Sequence, residues 1–381
     1  MGQDIDPFRA ISVSKRAHDL KTEGRRILHM EFGQPSTPAP RGAIARAHEV
    51  LDTDPMGYWE SRPLKERICQ HYKNEYGVDL TPGRVTLTCG ASPALVLALS
   101  TAFNPGDRIA LARPGYVAYR NTLRALNLDP VEIACGADVR YQLTADALDA
   151  LNPVPAGVII ASPANPTGTI IPEDDLAAIA AVAKAKNIRI ISDEIYHGIE
   201  YDKKAVTALQ ISDDVCVINS FSKYFSMTGW RVGWVIAPAA HTPSIRGFHD
   251  TLVIQAPTPL QRAAVALLGL DPSVYDGLRT AYARKRDTLV AALRRAGFGV
   301  SPPQGAYYLF ARYRGVPAIG GRSPMAAALH LIEVIGVASV PGDNFYTSGT
   351  AGDQYLRFAF CRSLPTLEEA ARRLSTLRPE T

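Results

Sequence analysis

Between about residues 85 and 236 short apolar runs recur: VTLT (85–88), RIALA (108–112), VEIA (131–134), GVIIA (157–161), IRIIS (188–192), VCVIN (215–219) and VGWVI (232–236). Apolarity is nearly continuous within each run rather than alternating. That predicts strands covered on both faces, as in a mostly parallel α/β sheet. SPALVLALSTAF and EDDLAAIAAVAKAKN, lying between runs, read as helices. Ser92 is the expected N-cap of the first, with Pro93 at its first helical position. The second opens on acidic residues and closes on lysines, as the helix dipole favours.

After about residue 275 the pattern changes. A helical stretch near 273–296 precedes AYYLFARY, a second helix near 324–335, GVASVPG and YLRFAF, which together predict a smaller α+β domain. The first 40 residues lack sheet periodicity and are expected to pack with that domain or with a neighbouring subunit. The expected division is therefore 1–40 as an arm and part of the small domain, 41–275 as the large domain and 276–381 as the small C-terminal domain. With 381 residues and 46% hydrophobic residues, the chain can fill cores of that size.

Charge adds mainly exclusions. The 41 basic and 37 acidic residues nearly cancel, which argues against a nucleic-acid partner. The N-terminal residues show no apolar stretch of the secretory kind, and no run reaches the roughly 18 apolar residues of a membrane span. Five widely spaced cysteines without a C-x-x-C pair fit reduced thiols in a cytoplasmic protein. The eight histidines form no H-x-x-x-H pair, so no metal site is expected.

The chemistry concentrates where the apolar runs end, which in open α/β sheets is the ligand edge. Cys89-Gly90-Ala91-Ser92 opens a helix whose free N–H groups suit a phosphate, although an ordinary Ser–Pro cap would look the same. No G-x-G-x-x-G or G-x-x-x-x-G-K-[ST] loop occurs, which counts against nicotinamide and nucleoside-triphosphate enzymes. RPGYVAY presents Tyr116 and Tyr119 after a Pro-Gly turn. SPANPTG holds Asn165 between prolines. Asp193 and Tyr196 end IRIIS, where a carboxylate is costly unless it meets a cation. Ser220, Ser222, Lys223 and Arg231 follow VCVIN, and two hydroxyls with a guanidinium suit a dianion. An ion pair could explain Lys223 alone, but not five strand ends with one polar logic.

With those residues in hand, the chain resembles the class I/II aminotransferases, the fold-type-I enzymes that use pyridoxal 5′-phosphate. SFSK and GWRVG place Lys223 and Arg231 eight apart, with NPTG and SDEIY ahead of them. EFGQP, GAYYLF, VPGDNF and YLRFAF resemble the remaining family landmarks, so the likeness runs from roughly residue 30 to 362. The resemblance implies a seven-stranded, mostly parallel sheet flanked by helices, plus a smaller α+β domain. It implies a ping-pong transamination through pyridoxamine phosphate, from an L-amino acid to a 2-oxo acid.

By the same resemblance Lys223 carries the cofactor as a Schiff base and shuttles protons. Asp193 pairs with the pyridine nitrogen, Asn165 and Tyr196 bond the ring 3-oxygen, and Tyr116 stacks on the ring. Ala91, Ser92, Ser220, Ser222 and Arg231 cradle the phosphate. Arg357, helped by Gly33 and Asn165, binds the substrate α-carboxylate. Tyr58 reaches the phosphate of the neighbouring subunit in a homodimer with shared active sites. The same motifs would also serve a β- or γ-lyase, because electron withdrawal activates every bond at the α-carbon. A non-catalytic cofactor-binding regulator is the remote alternative, disfavoured by the lack of a basic recognition helix. The side-chain specificity stays open, with Arg120, Arg124 and His249 as candidate second cations and Ile11, Tyr58, Trp59 and Tyr307 as apolar supply.

Overall fold

The computed structural model describes residues 5–271, 273–347, 352 and 354–377. The chain begins with helix α1 (Arg9–Thr22), strand β1 (Leu28–His29), α2 (Arg41–Thr53) and α3 (Arg62–Tyr76). α3 is delimited by local chemistry: the Ser61 hydroxyl accepts the Leu64 N–H, and Gly77 closes the helix at φ +70°.

The alternating part follows as β2 (Val85–Thr88), α4 (Ala91–Ala102), β3 (Arg108–Arg113), α5 (Val117–Ala125), β4 (Asp129–Ala134) and α6 (Ala145–Asp149). It continues through β5 (Gly157–Ala161), α7 (Glu173–Ala185), β6 (Arg189–Asp193), β7 (Val215–Ser220) and β8 (Gly233–Ile236). All seven apolar runs thus become strands of one sheet, ordered β2-β8-β7-β6-β5-β3-β4. Only β8 runs against its neighbours; the β3, β4, β5, β6 and β7 pairings are parallel. Successive side chains feed two cores. Ile109, Leu111, Ile159 and Ile191 face one layer of helices, and Ala110, Val158, Ile160 and Ile190 face the other. Burial on both faces is why these strands read as unbroken apolar runs.

α8 (Thr242–Leu252), α9 (Thr258–Leu267) and α10 (Ser273–Arg295) lead out of the sheet into β9 (Tyr308–Arg312) and α11 (Pro324–His330). β10 (Val337–Ala338), β11 (Val340–Pro341), β12 (Tyr355–Ala359) and α12 (Leu364–Leu374) complete the chain. β11, β12 and β9 form an antiparallel three-stranded sheet, and β1 pairs in parallel with β10. The N-terminal segment therefore packs on the C-terminal elements of its own chain. Tyr196 and Ile199, from the loop after β6, share one core with Tyr307, Tyr308 and Leu289.

Two local expectations need correcting. α4 starts at Ala91 with Gly90 as its N-cap, so Ser92 and Pro93 lie inside the first turn. The helix expected over 324–335 changes character after His330, where Leu331–Ile335 winds as one wider π-turn.

Candidate active site

The carboxyl ends of β3, β5, β6 and β7, the start of α4 and the small sheet enclose a cavity of about 310 Å³. Its wall carries three cations, Lys223, Arg231 and Arg357, against one carboxylate, Asp193. Such a balance favours an anionic occupant.

Arg231 occupies one end. Its backbone is left-handed (φ +57°), an uncommon state for a residue with a side chain. The guanidinium Nη1 donates to the Thr228 carbonyl (2.9 Å) and Nη2 to the Cys89 carbonyl (3.1 Å). A Cβ on Gly90 would lie 2.2 Å from Nη2, so the bare glycine, itself at φ +97°, lets the cation reach the start of α4. There Ala91, Ser92, Ser222 and Thr228 line the same end. Ser220 does not join them: it is 1% exposed, and its hydroxyl accepts the Ser222 N–H at 3.1 Å. A serine at the last position of a fully buried strand turns back on its own loop, and the direct contact expected of Ser220 is replaced by loop bracing.

Asp193 occupies the floor. Oδ2 accepts the Tyr119 hydroxyl at 2.6 Å and Oδ1 accepts the Ile195 N–H at 3.1 Å. Burial raises its carboxyl above the ordinary value, and these hydrogen bonds and the Lys223 charge oppose the rise. A cation brought against Asp193 would favour the carboxylate form. Tyr116 stands edge-on to Tyr119, with centroids 5.5 Å apart, on the cavity wall.

Lys223 Nζ donates to the Gly33 carbonyl at 2.9 Å, an acceptor it shares with the Tyr307 hydroxyl, also at 2.9 Å. Burial pushes the Lys223 amine down to about 8, assisted by Arg357 and Arg231 and opposed by Cys361 and Asp193. Gly33 itself cannot carry a side chain, since a Cβ would fall 1.7 Å from the Tyr308 hydroxyl.

Arg357 projects from β12, 5% exposed. Nη1 donates to Asn165 Oδ1 (2.9 Å) and Nη2 to the Glu31 carbonyl (2.7 Å), while the Tyr308 ring lies 4.3 Å below the guanidinium. Its buried Nε has no partner. An arginine has five N–H donors, so this one keeps several for a carboxylate. Tyr196 and Tyr308 pair their hydroxyls at 2.9 Å beside it.

The remaining candidates lie elsewhere. Tyr58 is 84% exposed on a loop and does not line this cavity. Arg120 and Arg124 are bound to Asp6, and His249 is buried on α8 near Glu60. Ile11 is 60% exposed, and Trp59 is covered by Arg262, 3.7 Å from its centroid. Phe8, Ala10, Phe32, Thr228 and Tyr308 line the cavity and escaped the sequence reading. Their neighbours in space are distant in sequence, and only the GAYYLF and EFGQP landmarks hinted at two of them.

These residues suit pyridoxal 5′-phosphate. They offer a basic end at a helix start for the phosphate, a buried carboxylate for the pyridine nitrogen, a depressed amine for the aldehyde and an unsatisfied guanidinium for an acid substrate.

Comparison with known proteins agrees with that donor set. The family model for aminotransferase class I and II matches residues 36–374. The valine–pyruvate aminotransferase of Mycobacterium tuberculosis is 36% identical, across 98% of this chain and 97% of that one. The (5-formylfuran-3-yl)methyl phosphate transaminase of Methanocaldococcus jannaschii is 30% identical, over 97% of this chain and 96% of its own. Among solved structures, an aminotransferase from Mycobacterium tuberculosis superposes with a TM-score of 0.92 at 36% identity, covering 98% and 96% of the two chains.

Proposed function

Because this chain belongs to the class I and II aminotransferases, and so is a pyridoxal 5′-phosphate-dependent transaminase, we propose that Lys223 is its cofactor-bearing lysine and that its amino donors are neutral aliphatic amino acids. The observation carrying the site assignment is the meeting of Lys223, Asp193, Arg231 and Arg357 in one cavity, each with a different chemical task open to it.

When bound, the cofactor supplies an electron-withdrawing ring that takes up the electron pair released at the substrate α-carbon. Asp193 holds a positive charge at the pyridine nitrogen, and Tyr119 and the Ile195 N–H keep its carboxylate oriented. Arg231, Ser92, Ser222 and the Ala91 N–H hold the phosphate, with Ser220 shaping that loop. Tyr116 covers one ring face, and Asn165 and Tyr196 serve the 3-oxygen. Arg357 clamps the α-carboxylate beside Asn165 and Gly33, which fixes the α-carbon relative to Lys223. With its pKa near 8, the Lys223 amine would accept the α-proton at Nζ and pass it to the carbon that carried the cofactor's aldehyde.

A neutral donor is supported by charge. Arg231 and Arg357 each have an anion to bind, Lys223 has the aldehyde, and Arg120 and Arg124 face carboxylates. Two exposed segments, around Tyr58 and around Leu252–Ile254, offer apolar side chains. They suit a homodimer in which Tyr58 enters the partner's phosphate site. The family division into residues 1–40, 41–275 and 276–381 fits this use, with the cofactor on the large unit and Arg357 on the small one. Five unpaired cysteines suit a reducing, cytoplasmic setting. The name of the valine–pyruvate relative points to the same donor class.

The test is a donor screen with pyruvate as fixed acceptor, read by product amino acid. Valine, isoleucine and leucine should be turned over well ahead of aspartate and glutamate. A preference for the dicarboxylates would overturn the donor assignment.

A further inference from the structure

The N-terminal segment contributes to the cavity wall, where Phe8 and Ala10 join Phe32. The segment is tied down at two points on two different units. Asp6 meets α5: its carboxylate accepts Arg120 Nε at 2.7 Å and Arg124 Nη1 at 2.8 Å, and Asn121 Nδ2 donates to its carbonyl at 2.9 Å. Arg9 meets the loop after β11, through Asp343 at 3.2 Å and through its own N–H to Asn344 Oδ1 at 3.0 Å. Phe8 sits between these anchors with its ring edge-on to Tyr116, centroids 6.0 Å apart.

α5 explains why this works. Ala118, Tyr119 and Thr122 line the cavity, while Arg120, Asn121 and Arg124 hold the segment. Arg120 is 3% exposed and also binds Glu132 at 2.7 Å, so its guanidinium is fixed before Asp6 arrives. Such a preorganised donor gives a well-defined position to whatever it binds. Burial alone would push the Asp6 carboxyl up, but Arg120 and Arg124 outweigh it and hold it below the ordinary range. The anchor is therefore fully charged at neutral pH.

Space is limited as well. A cavity of about 310 Å³ must take cofactor and amino acid together, whereas ligand pockets run to roughly 300–1,000 Å³. Little remains for the substrate's side chain beside the Phe8 ring.

We propose that Phe8 is the specificity-determining residue that caps the length of the donor side chain, and that Asp6 is the positioning residue that holds Phe8 over the cavity through Arg120 and Arg124. The proposal rests on the transaminase site described above and deepens it. Phe8 touches the substrate's side chain rather than the reacting atoms, so its removal changes which donor is used. Asp6 touches neither and acts through the segment.

The experiment measures kcat/KM for valine, leucine, phenylalanine and aspartate, with pyruvate as acceptor, in the holoenzyme and in Phe8→Ala, Asp6→Asn and Asp6→Glu. One methylene in an apolar pocket changes kcat/KM by roughly 10–200-fold. Phe8→Ala should therefore lower the valine value and raise the phenylalanine value, moving their ratio by at least about tenfold. Asp6→Asn should move the ratio the same way and raise donor KM more than it changes kcat, and Asp6→Glu should restore part of the ratio. Equal losses for every donor, or an unmoved ratio in Phe8→Ala, would overturn the proposal. The wild-type ranking of donors tests the neutral-donor assignment separately, since the ratio between variant and wild type is read whichever donors prove best.

Discussion

Lys223 is half-buried beside two arginines, and its amine falls to about 8 from an ordinary 10.5. The sign follows from burial: leaving water penalises the ammonium form, so the neutral amine appears at lower pH than in a free lysine. A lowered lysine pKa costs the folded state stability below about 8, and that cost disappears as pH rises toward 10.5. Chemically it makes Nζ a nucleophile under mild conditions. The rate at which apoprotein takes up pyridoxal 5′-phosphate, followed by absorbance, should rise through an inflection near pH 8. An inflection near 10.5 would contradict the burial argument. Lys223 was legible from its SFSK setting, as were Asp193, Asn165 and Arg357 from theirs. Tyr119 was visible only as an aromatic near a turn. Its bond to Asp193 joins residues 74 apart, and no local periodicity signals such a contact. The burial of Ser220 was not legible for a related reason: sequence places a hydroxyl at a strand end but does not say which way the chain turns after it.

At the scale of elements, the sheet was readable because its physics is repetitive. Two covered faces require unbroken apolar runs, and each run became a strand. The junction between β2 and α4 was less readable. A serine followed by proline is a sound start signal, yet the helix begins two residues earlier, with Gly90 at φ +97° as its N-cap and Arg231 against the backbone there. Gly90→Ala should therefore keep the fold but strain this junction, at about 1–3 kcal/mol for a side chain in such a conformation. Cofactor affinity should weaken by about tenfold or more, measured by titrating the apoprotein and checked against an unchanged far-ultraviolet spectrum. Unaltered affinity would show that the close approach of Arg231 to Gly90 is incidental. The small sheet follows the same lesson in reverse. Its strands were visible as AYYLFARY and YLRFAF, but their register is tertiary. That register, Arg357 opposite Phe310 and Tyr308 opposite Ala359, is what brings Arg357 and Tyr308 to the cavity.

For the whole molecule, the site draws on both the seven-stranded and the three-stranded sheet, and Tyr196, from the loop after β6, shares a core with Tyr307 and Tyr308. Tyr58 stays outside the cavity and is displayed to solvent with Met56, near the exposed Leu252, Val253 and Ile254. An apolar group of this kind invites a partner surface. If Tyr58 completes the partner's site, chains carrying Lys223→Ala and Tyr58→Ala should complement one another. Each homodimer would be impaired, and a co-expressed mixed dimer would regain one intact site and so measurable turnover. Mixed dimers no more active than the homodimers would rule out sharing through Tyr58. The passage from the seven-stranded sheet to the later elements was legible as a change of pattern near residue 275. The place of Phe8 and Ala10 on the cavity wall was not, because a segment without periodicity gives no sign of where it lies.

Everything above turns on Lys223 as the group that holds the cofactor and moves the proton. Borohydride reduction of the holoenzyme, followed by peptide mass mapping, locates the cofactor directly, and Lys223→Ala turnover with valine and pyruvate measures its consequence. The expected result is a reduced adduct on the peptide containing Lys223 and a folded variant whose turnover falls by at least about 10²–10⁴-fold, the range for losing a positioned acid–base group. An adduct on any other lysine, or transamination at the wild-type rate in Lys223→Ala, would contradict it.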